Sequence, residues 1–145
     1  MGTRADFYIG TDVNAQWLGS IAYDGYPDGN PALLGKSIKT KRQFVAAVKK
    51  IFKGVDHFTL PEYGWPWPWE NSQTTDYAYA WDDKKKKVMV SRFGRPYITF
   101  HTYQRMNEEK SNLYYERGQT QVFPDMKAIQ NVDYGRRSGV MVISA

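Results

Sequence analysis

Residues 64–81 leave the chain little conformational choice. Their first part, Gly64-Trp65-Pro66-Trp67-Pro68-Trp69, cannot be helical. Each proline fixes its own φ, lacks an N–H and pushes the residue before it into an extended conformation. Trp65 and Trp67 both precede proline, so their indoles sit on a stiff, polyproline-like ribbon. The last part, Tyr77-Ala78-Tyr79-Ala80-Trp81, alternates large and small with a period of two, which is a strand pattern. A polar hinge over 70–76 joins the two. Four of the five tryptophans of the chain fall in this stretch.

The neighbouring segments supply what such a strand needs. Asp82-Asp83-Lys84-Lys85 reads as a hairpin turn, and 86–93 as the return strand. Gly94-Arg95-Pro96 turns the chain into a third strand over 97–103. Upstream, 6–10 and 16–23 read as strands, and Gly19 marks a bulge or a close approach by another backbone. One helix is expected at Lys41–Lys53. Thr40 and Gln43 form a capping box; Phe44, Val45, Val48, Ile51 and Phe52 form one apolar stripe; Gly54 stands at the C-terminal cap. Alanine on one strand face leaves room for a helix. The expectation therefore packs this helix on Ala78 and Ala80 and leaves Tyr77, Tyr79 and Trp81 for a groove, another sheet or another subunit. After Tyr103 come a polar loop or short helix over 104–112, short strands at 113–115 and 121–123, a helical turn over 124–130, and an apolar strand at 140–143. The fold class is α+β, a mainly antiparallel sheet with one principal helix on one face, in a single domain over 1–145.

Composition narrows the function classes. The 145 residues include no cysteine, which excludes disulfides, iron–sulfur clusters and thiolate zinc sites. No apolar run reaches membrane-spanning length, and the N-terminus lacks the apolar core of a signal peptide. A soluble, intracellular protein is expected. A net charge of +5 favours anionic partners, although it is also an ordinary solubility charge. Aromatic residues make up 16% of the chain, which suits either a binding surface or a β-rich core.

The candidate site is an aromatic platform of Trp65, Trp67, Trp69, Tyr77, Tyr79 and Trp81. Rings held on a pre-ordered rod can stack on bases or sugars at small entropic cost. Arg92 and Arg95, with Arg136 and Arg137 in a glycine-flanked loop, would neutralise phosphate. Glu70, Asn71, Thr74, Thr75 and Asp76 would read polar edges. The competing reading puts the indoles in the core. The lysines of the helix and the run Lys84 to Lys87 are solvated faces or, alternatively, phosphate contacts. His57-Phe58-Thr59 and His101-Thr102 hold the only two histidines, and as an acid–base pair they would suit a phosphodiesterase. The second motif breaks the His-x-Thr pattern. Asp24, Asp28 and Asn30 lack the spacing of a calcium loop, so no metal and no cofactor is expected.

Two blocks carry a resemblance. Arg4-Ala5-Asp6-Phe7-Tyr8 with the segment Gln16 to Pro27, and Gly64 to Glu70 with Thr74 to Tyr79, resemble a family of small uncharacterised proteins encoded by tailed phages and prophages. The likeness covers roughly the first 95 residues and carries over no functional residue. It implies a phage accessory protein acting in the cytoplasm of the infected host, of a kind that often counters host defence. The leading expectation is a non-enzymatic, homo-oligomeric binder that sequesters a nucleotide-like anionic signal on the platform. Nucleic acid is a weaker candidate ligand. The alternative is a protein–protein inhibitor or assembly component that uses the same surface on a host or phage protein.

Overall fold

The computed structural model of the protein describes residues 2–106 and 120–126. Eight elements organise these residues: β1 (Ala5–Ile9), β2 (Gln16–Ile21), α1 (Lys41–Lys53), β3 (Phe58–Thr59), β4 (Tyr77–Asp82), β5 (Lys87–Arg92), β6 (Ile98–Thr99) and α2 (Phe100–Arg105). The strands form one six-stranded sheet in the order β3-β2-β1-β4-β5-β6. Every neighbouring pair is antiparallel except β1 and β4, which run parallel at its centre. The fold is α+β, as the sequence implies.

Helix α1 starts and stops as its sequence dictates. The Thr40 hydroxyl accepts the Gln43 N–H at 3.1 Å, and Gln43 Oε1 accepts the Lys39 N–H at 2.6 Å. Gly54 closes the other end with its N–H on the Lys50 and Ile51 carbonyls, in ordinary right-handed geometry. Phe44, Val48, Ile51 and Phe52 are buried, and Val45 is half-buried.

The helix packs on the face opposite to the one expected. Phe7 lies between Phe52, edge-on at 5.5 Å, and Tyr79, stacked at 5.5 Å, while Phe44 meets Trp81 at 6.2 Å. Tyr77, Tyr79 and Trp81 thus fill the space under α1. The alanine face is covered by the tryptophan ribbon instead: Trp65 and Trp67 join Tyr8, Trp17, Ala78, Ala80, Phe123 and Met126 in a second core. The physical reason is size. An extended ribbon carrying indoles can close on a sheet only where small side chains make room, whereas a helix stands farther off and needs large rings to fill the gap.

Gly19 does both things expected of it. The β1–β2 register slips between Phe7 and Tyr8, and Leu18 is the extra residue. Gly19 itself has φ of +143°, and a Cβ there would lie 2.7 Å from both Phe52 Cζ and the Thr59 carbonyl oxygen. The expected strand over 97–103 is mostly α2. Thr99 Oγ1 accepts the Thr102 N–H at 3.0 Å as an N-cap, and Phe100 and Tyr103 bury one face of a single helical turn. Residues 121–126 have no regular structure, although Phe123 and Met126 are buried. The expected elements at 113–115 and 140–143 and the loop 135–139 lie outside the described residues.

Candidate functional site

The ribbon is fastened by a carboxylate that its sequence context did not advertise. Asp6, on β1, is fully buried. Its Oδ1 accepts the Trp67 indole N–H at 2.7 Å and the Ser20 hydroxyl at 2.5 Å, and its Oδ2 accepts the Ser72 hydroxyl at 2.6 Å. The partners are themselves supported. The Trp17 N–H donates to Ser20 at 3.1 Å, Ser72 pairs with the Tyr8 hydroxyl at 2.6 Å, and Trp69 donates to Thr75 at 2.9 Å. Burial pushes the Asp6 carboxyl above its ordinary value; hydrogen bonds from Ser20, Ser72, Trp67 and Thr75 pull the other way. The negative charge also helps to hold the buried Tyr8 and Tyr97 hydroxyls protonated well above their usual range, after burial itself.

These contacts place most of the expected platform in the interior. Trp65, Trp67, Tyr79 and Trp81 are at most 1% exposed, and Thr75 and Tyr77 are buried. Their polar atoms are engaged inside: the Tyr79 hydroxyl donates to the Gly25 carbonyl at 2.6 Å, and the Tyr77 hydroxyl meets that of Tyr103 at 3.1 Å. Burial then raises the Tyr77 pKa, with Tyr103 adding to the effect. No stacking surface is left at these six rings except at Trp69, which is half-buried. Trp69 stacks on Trp67 at 5.6 Å, and the Arg4 guanidinium lies over both rings at 5.7 and 5.6 Å. Arg4 also pairs with Asp76 at 3.8 Å.

The polar hinge residues shape a turn. Asn71 Oδ1 accepts the Gln73 N–H at 2.8 Å, the Glu70 carbonyl accepts the Met126 N–H at 2.7 Å, and Thr74 is exposed. Arg92 lies over the Tyr77 ring at 5.9 Å, and the Arg95 N–H closes a turn onto the Arg92 carbonyl at 3.0 Å. Arg136 and Arg137 lie outside the described residues. The histidine pair does not form. His57 precedes β3 and His101 sits on α2 after β6, so they belong to opposite edges of the sheet. Five interstrand spacings, about 24 Å, separate those edges. His57 instead packs edge-on against Tyr23 at 4.8 Å, and its Nδ1 is buried without a hydrogen-bond partner among the described residues.

A different cluster of charge gathers beside β5. Segment 34–39, the start of β5 and α2 enclose a cleft of about 590 Å³. Leu34, Val88 and Phe100, all buried, form its floor. Lys39, Lys86, Lys87 and His101, all exposed, stand around it together with Ser37 and Gln104. Gly35 allows the wall to close, because a Cβ there would lie 2.8 Å from Gln104 Nε2 and 3.0 Å from the Phe100 ring. Lys86 is held 3.2 Å from Asp83, whose carboxyl lies below its usual range chiefly because the Trp81 indole donates to it. Lys39 and Lys87 form no ion pair among the described residues. The cleft lining contains no carboxylate. The basic hairpin run gave a partial sequence signal for this site; nothing in the sequence marked Lys39 or brought His101 to it.

No family model matches the chain, and no curated protein or solved structure matches it. Among the described residues, no helix is long and apolar enough to cross a membrane.

Proposed function

We propose that the protein is a non-enzymatic binder of a nucleotide-like anionic small molecule, held in the cleft beside β5. The observation that carries this reading is the convergence of Lys39, Lys86, Lys87 and His101 on a lining without a carboxylate. Cations around a concave site raise the local concentration of anions, and an apolar floor accepts the uncharged part of the ligand. The cleft is within the usual size range of small-molecule sites, about 300–1,000 Å³. Phosphate would face Lys39 and Lys87, and a base or ribose would lie toward Leu34 and Val88. The resemblance to phage proteins gives this binding a purpose: capture of a nucleotide signal of the infected host. In this reading the tryptophan ribbon packs the opposite face of the sheet and makes no ligand contact.

Isothermal titration with adenosine, AMP, ADP and a cyclic dinucleotide tests the proposal. Affinity should rise with phosphate charge and fall with added salt, and Lys87→Glu should weaken binding at least about tenfold, equivalent to about 1.4 kcal/mol. Adenosine binding as well as ADP, or Lys87→Glu leaving the affinity unchanged, would overturn it.

A further inference from the structure

We propose that a second cleft, between α1 and the start of β2, binds a free amphipathic anion: an alkyl chain of medium length that ends in one anionic head such as a carboxylate. The first observation is where the half-buried apolar residues fall. Leu18, Val45, Val55, Phe58 and Leu60 are each only partly covered, and all five line one cleft of about 550 Å³. They come from β2, α1, β3 and the segments on either side of β3, so the fold gathers them. Single exposed apolar residues are ordinary, but a contiguous apolar concavity marks a binding surface. Val48 and Phe52, both buried, close its floor. The cleft is within the size range of small-molecule sites, about 300–1,000 Å³.

The second observation is how few hydrogen-bonding side chains the wall offers. The Trp17 indole N–H is already donated to Ser20 at 3.1 Å. The other polar side chains of the lining are Gln16, Lys49, Lys53 and Glu62, all of them exposed. A sugar, a base or a peptide backbone pressed into this wall would leave its own polar groups unpaired, at a cost. An alkyl chain has no such groups to lose and gains with every methylene it buries.

The third observation is charge. Lys49 and Lys53 lie four residues apart on the cleft side of α1 and form no ion pair among the described residues. A lysine stem lies along apolar surface while its ammonium stays in water, so both can meet a head group at the mouth of the cleft. Glu62, after β3, is the only carboxylate of the lining. Two cations against one anion leave the lining at +1, which matches a single anionic head on the α1 side. A neutral or cationic amphiphile gains nothing from these lysines. The cleft shares no lining residue with the basic cleft, so the two proposals stand or fall separately.

The test titrates the full chain with hexanoate, octanoate and decanoate below their micellar concentrations, followed by methyl NMR. Shifts are expected at Leu18, Val45 and Val48. Affinity should rise about three- to fourfold for each added methylene until the cleft is full. Octan-1-ol and octylammonium should bind several-fold more weakly than octanoate. The double variant Lys49→Gln, Lys53→Gln should weaken octanoate several-fold and leave octan-1-ol unchanged. Both positions are exposed, and an unchanged urea midpoint checks that the variant is folded. Shifts at Leu34 and Val88 instead would place the carboxylate in the basic cleft and overturn the proposal. So would octan-1-ol binding as tightly as octanoate, an affinity indifferent to chain length or to the two lysines, or no saturable shift. Sedimentation with anionic phospholipid vesicles, without binding of monomeric octanoate, would make the cleft a membrane contact and overturn it as well.

Discussion

Replacing Trp67 with alanine removes an indole that is 1% exposed and whose N–H donates to the buried Asp6 at 2.7 Å. Large-to-small truncation of a buried tryptophan costs about 3–5 kcal/mol. The lost hydrogen bond to a charged acceptor is worth about 1.5–3 kcal/mol and leaves Asp6 with fewer donors in a site that water does not reach. The two losses overlap, because truncation series already include some lost polar contacts. The expected penalty is therefore at least about 4 kcal/mol, a large share of the 5–15 kcal/mol that stabilises a typical domain. For a chain of this size it lowers Tm by about 8–16 °C. Urea unfolding followed by far-ultraviolet circular dichroism measures it. Trp67→Phe keeps most of the ring volume but loses the donor, so it should lose roughly half as much. A Trp67→Ala midpoint within about 1 kcal/mol of the parent, at unchanged m-value, would refute the assignment of the ribbon to the core and restore it as a surface.

Two further outcomes follow from the same interior. Burial raises the Asp6 carboxyl above 3.8, so the folded protein keeps this proton in a range where the unfolded chain has lost it. Its contribution to stability is fully present below that ordinary value and is lost as pH rises through the folded value. Asp6→Asn should flatten this part of the pH–stability profile, and an unaltered profile would mean that another group sets it. Gly19→Ala forces a Cβ to 2.7 Å from Phe52 and from the Thr59 carbonyl at a φ of +143°, and should cost at least about 2 kcal/mol by the same urea assay. Parental stability in that variant would show that α1 does not press on the bulge.

Local patterns were legible wherever one period or one cap decides the outcome. The stripe from Phe44 to Phe52, the Thr40–Gln43 cap and the alternation from Tyr77 to Trp81 each name their element. Gly19 signalled both the bulge and the close approach. At 97–103 the signal misled. Tyr97, Ile98 and Thr99 favour a strand, but the Thr99 cap and the spacing of Phe100 and Tyr103 close a helical turn that a strand reading passes over. β3 escaped notice because two residues are too few to show a period. The basic cleft was only half legible. The lysine run was visible, but the approach of Lys39 and His101 to it depends on α2 and segment 34–39 closing on β5.

What the chain alone determined is the element set: a Trp-Pro ribbon that cannot be helix, an alternating strand, one amphipathic helix and a positive balance of charge. Which face each element covers was settled only by packing in three dimensions. A period of two states that Tyr77, Tyr79 and Trp81 share a side and that Ala78 and Ala80 share the other, but it does not say which side meets the helix. Volume settled that choice, because indoles fit over alanine and a helix needs rings beneath it. Asp6 then fixed the ribbon in place through donors as far apart in sequence as Ser20 and Ser72. That convergence has no one-dimensional signature, and it turned the most conspicuous residues of the sequence into the inside of the protein.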